Sequence, residues 1–459
     1  MKDSIVLYLK QGSKGGRPIL LVKFQRADNM KESFKVGIAG LGTVGIGVVK
    51  ILTQHADVIA MRAGQKIEIV AVSARNKNQD RGVDLSSYDW VDDARDLTTH
   101  DDVDCVVELI GGSEGVAADL VRGSLSNGRH VVTANKALVA HHGYELAVTA
   151  EDKGVSLNYE AAVAGGIPII KALREGLAAN DIKSVYGILN GTCNYILTIM
   201  RETGRDFDDV LKEAQEHGYA EADPSFDIEG VDAAHKLCIL SAIAFGVRPD
   251  FAALQISGIT QINATDIAYA TEFGYRIKLL GVAQKIDGKI MQVMAPCLVP
   301  IGSPMGIIED VYNAVYLEGD FVETPLLTGK GAGEGPTASS VVADIIDLAR
   351  GFSVPTFGVP AKDLQQAEWV DMSATTARYY LRLAVTDKSG VIADISSILK
   401  DHNISIEGMV QRGRDPEQVV PVVLTLHKSR HADMMEAVKN IEGLEACAEK
   451  PCLMRIEEI

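Results

Sequence analysis

An α/β architecture on a doubly wound parallel sheet, followed by an α+β unit and a C-terminal βαββαβ unit, is what this 459-residue sequence predicts. Three observations lead there. A short apolar strand runs into a glycine-rich turn and a helix within residues 35–54. Apolar strands then alternate with helical stretches as far as residue 160. Residues 378–459 read strand, helix, strand, strand, helix, strand, the ferredoxin-like order.

The chain opens with an extension, residues 1–33, whose first 29 residues are basic, contain glycines and precede Met30. Three readings stay open for it: a disordered arm, an added strand, or the product of an early start codon. Lys35–Ala39 is the first strand of the sheet. Gly40-Leu41-Gly42-Thr43-Val44-Gly45 then supplies G-x-G-x-x-G, and a helix runs from Ile46 to about Gln54. The first glycine permits the tight turn, the second lets a pyrophosphate approach the backbone, and the third lets helix pack on strand. The pyrophosphate then sits at a helix N-terminus. Flanked in this way, the motif is a Rossmann fingerprint for a dinucleotide held by Gly40, Gly42, Thr43, Val44 and Gly45.

The next strand, Ile67–Val72, ends where the adenosine ribose lies. An NAD site wants an acid there, but the strand runs into Ser73-Ala74-Arg75-Asn76-Lys77, with two cations and no acid. Arg75, assisted by Lys77, suits a 2′-phosphate. NADP(H) is therefore the preferred cofactor, with NAD(H) possible. Asp104–Gly112 is a further buried strand ending in a glycine turn, and a helix near Gly115–Asn127 leads to the strand His130–Ala134. Asn135-Lys136 follows at its carboxyl end, where such sheets bind ligands, so Lys136 faces substrate, nicotinamide or the reacting oxygen.

Val155–Glu160 reads as a strand running into a Gly-Gly-Ile-Pro turn, with a helix from Ile169 to about Ala178. Tyr186–Asn194 is a strand entering a polar loop, where Asn190-Gly191-Thr192 offers amide, backbone and hydroxyl donors to a small polar substrate. Ile277–Val299 reads as a hairpin turning at Asp287-Gly288. The most informative stretch lies between Tyr219 and Lys236, YAEADPSFDIEGVDAAHK. Asp223-Pro224 marks a turn. From Glu229 the spacing is helical, so Asp232 and Lys236 share one face. A lysine held by an acid is a candidate proton donor.

Composition excludes other classes. Forty-five basic against 62 acidic residues leave a net charge of −17, which argues against nucleic acid or an anionic membrane as partner. Six cysteines at irregular, distant positions read as reduced core thiols of a cytoplasmic protein.

Six motifs together resemble the homoserine dehydrogenase family: GLGTVG at Gly40, ANK at Asn135-Lys136, YEAAVAGGIP from Tyr159, NGTCNYIL from Asn190, GYAEADPSFDIEGVDAAHKL from Gly218 and GKGAGEGPTASSVVADI from Gly329. They stand in the family's order over residues 34–350. The resemblance implies a Rossmann domain over 34–160 with a returning segment at 325–358, a catalytic and dimerisation domain over 161–324, and a homodimer or homotetramer. It implies that Lys236 is the proton donor, Asp232 the acid holding it, and Lys136 the lysine near nicotinamide and substrate. Glu221 and Asp227, with Tyr219, Gly191 and Thr192, are implied to bind substrate. Gly331 and Gly333 form the returning loop beside the cofactor, where Lys330 replaces the expected small residue or proline. The carbonyls of Glu160, Val163, Gly165 and Ile167 match a family monovalent-cation site, usually sodium.

After a linker at 359–377, Asp387-Lys388-Ser389-Gly390-Val391 and the later ILKDHNISIE resemble an ACT domain, a separate module over 378–459 that by analogy binds threonine as feedback inhibitor. The implied activity is interconversion of L-aspartate 4-semialdehyde and L-homoserine in threonine, methionine and isoleucine biosynthesis. Two alternatives stand beside it: an NADP-dependent dehydrogenase of another amino-acid aldehyde, and a non-catalytic amino-acid sensor. The intact Lys136, Asp232 and Lys236 speak against the sensor.

Overall fold

The computed structural model describes residues 5–10, 19–24, 33–412 and 418–459. Strands β1 (Ile5–Lys10) and β2 (Ile19–Phe24) pair antiparallel; the rest of the extension before residue 33 lies outside the described residues.

Six strands form a parallel sheet: β3 (Ser33–Ala39), β4 (Lys66–Ser73), β5 (Asp89–Trp90), β6 (Cys105–Glu108), β7 (His130–Thr133) and β8 (Leu157–Asn158), in the order β5-β4-β3-β6-β7-β8. Numbered within the domain this is 3-2-1-4-5-6, whose order reverses beside β3 and opens a crevice at the strands' carboxyl ends. β6 is buried along its whole length and β7 over its last three residues, as expected where helices cover both faces. The returning helix Glu334–Ala349 closes one face against the helix Thr43–Gln54, and a Cβ on Gly47 would collide with Glu334 and Ala338.

Two local expectations shift. The strand expected to Glu160 pairs only at Leu157–Asn158, because Glu160–Ala162 coils into a short 3₁₀ turn and the Glu160 amide donates to Asp344. The helix expected to Ala178 winds as α only over Ile169–Lys171 and widens over Ala172–Gly176. Its first amides, Ile170 and Lys171, donate to the Glu160 carboxylate.

The second sheet joins the α+β unit to the C-terminal unit. It contains β9 (Ile182–Ile188), β10 (Gln255–Ile256), β11 (Tyr275–Ile286), β12 (Lys289–Pro300), β13 (Tyr312–Gly319), β14 (Leu326–Lys330), β15 (Thr376–Thr386), β16 (Ile406–Gln411), β17 (Val419–Arg430) and β18 (Cys452–Ile456). Its order is β14-β13-β9-β11-β12-β18-β15-β17-β16, with β10 beside β12. Within the C-terminal unit the order is 4-1-3-2, the ferredoxin-like arrangement, with helices Val391–Asp401 and His431–Glu442.

That unit continues the second sheet. β18 pairs parallel with β12 through Cys297–Arg455 and Leu298–Ile456, so the edges of both units are buried against each other. A polar contact reinforces the junction. Arg382 Nε donates to Asp266 Oδ1 at 2.7 Å and Tyr380 to the same oxygen at 2.9 Å, with Asp266 fully buried.

Candidate active site

The glycine loop is built as its spacing demands. A Cβ at Gly45 would strike the Gly40 carbonyl, so only glycine lets the helix sit this close to β3; at Gly42 the same atom would meet open space. The helix begins at Thr43, three residues earlier than expected, with Gly42 as its N-cap. Beside it lies a cavity of about 630 Å³ lined by Gly40, Gly42, Ser73, Arg75, Gln79 and Arg81, among others. Arg75 faces this cavity, while the Lys77 ammonium lies 5.8 Å from the Trp90 ring centroid. Arg81, which the spacing did not nominate, donates to the Leu41, Gln79 and Asn76 carbonyls and so ties the loop after β4 to the glycine loop.

A second cleft, about 600 Å³, opens between the parallel-sheet domain and the α+β unit. It is lined by Val44 and Lys136 from one side and by Gly191, Thr192, Tyr219, Glu221, Asp227, Asp232 and Lys236 from the other. Gly165, Lys330, Gly331 and Gly333 complete its wall.

At its base, Asp232 and Lys236 occupy one face of the helix Val231–Phe245. Lys236 Nζ donates to Asp232 Oδ2 at 2.7 Å and to the Leu189 carbonyl at 2.7 Å. Lys136 Nζ reaches the other oxygen of the same carboxylate at 3.1 Å. Burial alone would raise the Asp232 pKa, but the two ammonium groups and the hydrogen bonds from Lys236 and Asn190 hold it well below the ordinary carboxylate range. Asp227 is the opposite case: burial, and then the Asp232 charge, push it up.

Asn190 organises both acids. Its Nδ2 donates to Asp227 Oδ1 at 2.7 Å and Asp232 Oδ2 at 2.9 Å, and its Oδ1 accepts from the Cys193 amide, capping the helix Gly191–Thr203. Thr192 donates to the Tyr219 carbonyl at 2.7 Å, and the Tyr219 ring packs on Tyr195. Glu221 is exposed at the rim. On the far side, the carbonyls of Glu160, Val163, Gly165 and Ile167 belong to a chain reversal with two consecutive left-handed residues, Ala164 (φ 54°) and Gly165 (φ 50°). Among the described residues no His/Cys/Asp/Glu cluster suits a metal ion.

Three family models match: the NAD-binding domain of homoserine dehydrogenase over residues 40–160, homoserine dehydrogenase over 168–346, and the ACT domain over 379–443. The homoserine dehydrogenase of Neisseria gonorrhoeae is 45% identical over 431 residues, covering 92% of this chain and 98% of its own. The chain belongs to the homoserine dehydrogenase family.

Solved structures agree. A homoserine dehydrogenase from Thiobacillus denitrificans superposes with a TM-score of 0.87 at 45% identity, covering 93% of this chain and 98% of that one. A hyperthermophilic archaeal homoserine dehydrogenase in complex with NADPH matches with a TM-score of 0.61 at 26% identity, over 70% of this chain and 99% of that one. The chain is an oxidoreductase, a homoserine dehydrogenase with an ACT domain.

In this homoserine dehydrogenase the cleft gathers the expected Lys136, Asp232, Lys236, Asp227, Tyr219, Glu221, Gly191 and Thr192. Two residues were not expected, Arg81 as the clamp of the loop after β4 and Glu108, while Asn190, expected as a donor to substrate, instead bridges the two acids. The buried Glu108 accepts from the Ile110 and Gly111 amides and from Thr133, bracing the carboxyl ends of β6 and β7. A signal existed for Glu108, an acid closing an otherwise apolar strand. For Asn190 the polar loop was visible but its partners were not.

Proposed function

We propose that this enzyme interconverts L-homoserine and L-aspartate 4-semialdehyde, preferring NADP(H) while accepting NAD(H). The observation that carries this reading is the single buried carboxylate of Asp232 with Lys236 on one oxygen and Lys136 on the other, at the base of a cleft beside the glycine loop.

When bound, the nicotinamide supplies or accepts the hydride; the chain's own residues do the rest. Lys236 gives a proton to the aldehyde oxygen during reduction and takes it from the hydroxyl during oxidation. Asp232 holds that lysine in place, and its low pKa keeps it ionised through the cycle. Lys136, on the other oxygen of Asp232, stabilises the reacting oxygen. Asp227 and Glu221 receive the substrate α-ammonium, and a cation arriving beside Asp227 offsets the burial that raises its pKa. Tyr219, Gly191 and Thr192 shape the remaining wall.

Arg75 beside the ribose pocket, with no acid at the end of β4, supports the NADP preference, and the NADPH complex of the archaeal relative agrees. Sodium would be held by the carbonyls of Glu160, Val163, Gly165 and Ile167, a neutral hard-oxygen donor set of the kind such cations take. Held there it would stiffen the reversal, which packs on the returning loop at Gly331. The ACT unit binds threonine as feedback inhibitor, and the chain works as a cytoplasmic homodimer or homotetramer.

The test is homoserine-dependent reduction of NADP and of NAD by the purified protein, with and without threonine, in sodium and in a sodium-free buffer. Turnover favouring NADP and inhibited by threonine supports the reading. Folded protein that turns over neither cofactor removes it.

A further inference from the structure

Two histidines join the helices that carry the site lysines. Lys136 opens the helix Lys136–Lys153, and His141 follows roughly a turn and a half later. Lys236 lies on the helix Val231–Phe245, directly after His235. His141 Nε2 and His235 Nε2 approach to 3.1 Å across the interface between the cofactor domain and the α+β unit. The His235 ring stacks on Phe251 with centroids 4.2 Å apart and planes 8° apart, and on Phe226 at 5.6 Å. His141 packs on Phe251 at 4.8 Å, and Phe226 carries the Lys136 ammonium 5.7 Å from its centroid. The mechanism above uses neither histidine.

We infer that the His141–His235 hydrogen bond is a positioning contact, holding Lys136 against Asp232 and Lys236 at the spacing that transfer of hydride and proton requires. This rests on the roles proposed above for the two lysines. An Nε2–Nε2 bond needs one N–H and one lone pair. It forms between neutral rings in complementary tautomers, or between one imidazolium and one neutral ring. With both rings charged, two N–H groups face each other and the contact opens.

The charged neighbours are few. His142 and Lys136 lie on the helix of His141, Glu114 sits across from His142, and Asp232 is on the helix of His235. The acids next to the two phenylalanines are engaged elsewhere, Asp227 with Asn190 and Asp250 with Trp369. Burial, reinforced by His141 and Lys136, pushes His235 down to about 4, and burial lowers His141 as well. The pair is therefore neutral and intact at neutral pH.

His141→Phe keeps a ring beside Phe251 and removes the bond; His141→Gln places an amide nitrogen near the lost Nε2. The expected result, measured below the melting transition, is a kcat for homoserine oxidation lowered about tenfold in His141→Phe, with substrate KM changed by less than about twofold, and partial recovery in His141→Gln. A kcat within about twofold of wild type in His141→Phe, or an equal loss in both variants, overturns the inference. If His141→Phe fails to fold, side-chain nitrogen NMR of the wild-type enzyme serves instead. One proton shared between the two Nε2 atoms at neutral pH supports the contact; two rings titrating independently near about 6.5 overturn it. Lys236→Ala assayed in parallel separates the two ideas. Its near-normal turnover would remove the lysine roles, whereas its inactivity leaves the histidine result to be read alone.

Discussion

The side-chain amide of Asn190 donates to Asp232, Nδ2 to Oδ2 at 2.9 Å. The same nitrogen holds Asp227, and the amide oxygen caps the helix that begins at Gly191. One side chain therefore sets the distance between the acid that holds Lys236 and the acid proposed for the substrate ammonium. Asn190→Ala loses a helix cap, about 1 kcal/mol, and leaves the buried Asp232 and the half-buried Asp227 each short of a donor. A kcat/KM lowered at least about tenfold, with a lower melting temperature, is expected from steady-state kinetics and thermal melts.

Lys236→Ala removes the proposed proton donor and should lower kcat by about two orders of magnitude or more. Lys236→Arg should not restore it, because a guanidinium does not give up its proton in this pH range. Single-turnover hydride transfer is the measurement, since it isolates the chemical step.

Arg75 and Arg81 should separate by cofactor. Arg75 faces the cavity beside the glycine loop, so on the proposed NADP preference Arg75→Ala should raise KM for NADPH about tenfold while leaving NADH nearly unchanged. Arg81 reaches the Leu41 carbonyl in the glycine loop, so Arg81→Ala should weaken both cofactors together. Paired titrations with the two cofactors decide it.

Arg382→Ala should destabilise the whole enzyme. Asp266 is fully buried, and losing its guanidinium partner leaves an uncompensated charge, which costs on the order of 3–5 kcal/mol. Arg382 lies in the C-terminal unit and Asp266 in the α+β unit, so a single cooperative melt shifted downward is expected. Two separate transitions with the α+β unit unaffected would contradict the shared sheet.

Stability should depend on pH through His235. Its folded pKa of about 4 lies below the ordinary value of about 6.5, so between them the unfolded chain binds more protons. Stability therefore rises with pH from about 4 to about 6.5 and is fully present above that window. His235→Phe should flatten this part of a melting-temperature profile, and an unchanged slope would show that other groups dominate it.

Much of this was legible along the chain. The glycine fingerprint, the parallel-sheet elements, the βαββαβ unit and the Asp232–Lys236 pair are all short-range features. They depend on turn chemistry, on periods of two and 3.6 residues, and on neighbours four apart on a helix, which act wherever the chain is placed. The residues of the reversal around Gly165 and of the returning loop were singled out only through resemblance, because backbone carbonyls leave no mark in side-chain chemistry.

Tertiary structure decided the rest. Lys136 reaches Asp232 from about a hundred residues away, His141 reaches His235 across the same gap, and Gly331 is glycine because a Cβ there would collide with the Asn313 amide. β18 could have closed a self-contained unit, yet it pairs with β12 and fuses two sheets. Element type follows from local sterics and hydrophobic period. Which distant side chains share an oxygen, and which edges pair, follows from how the closed elements bury their apolar faces together, and no local spacing encodes that.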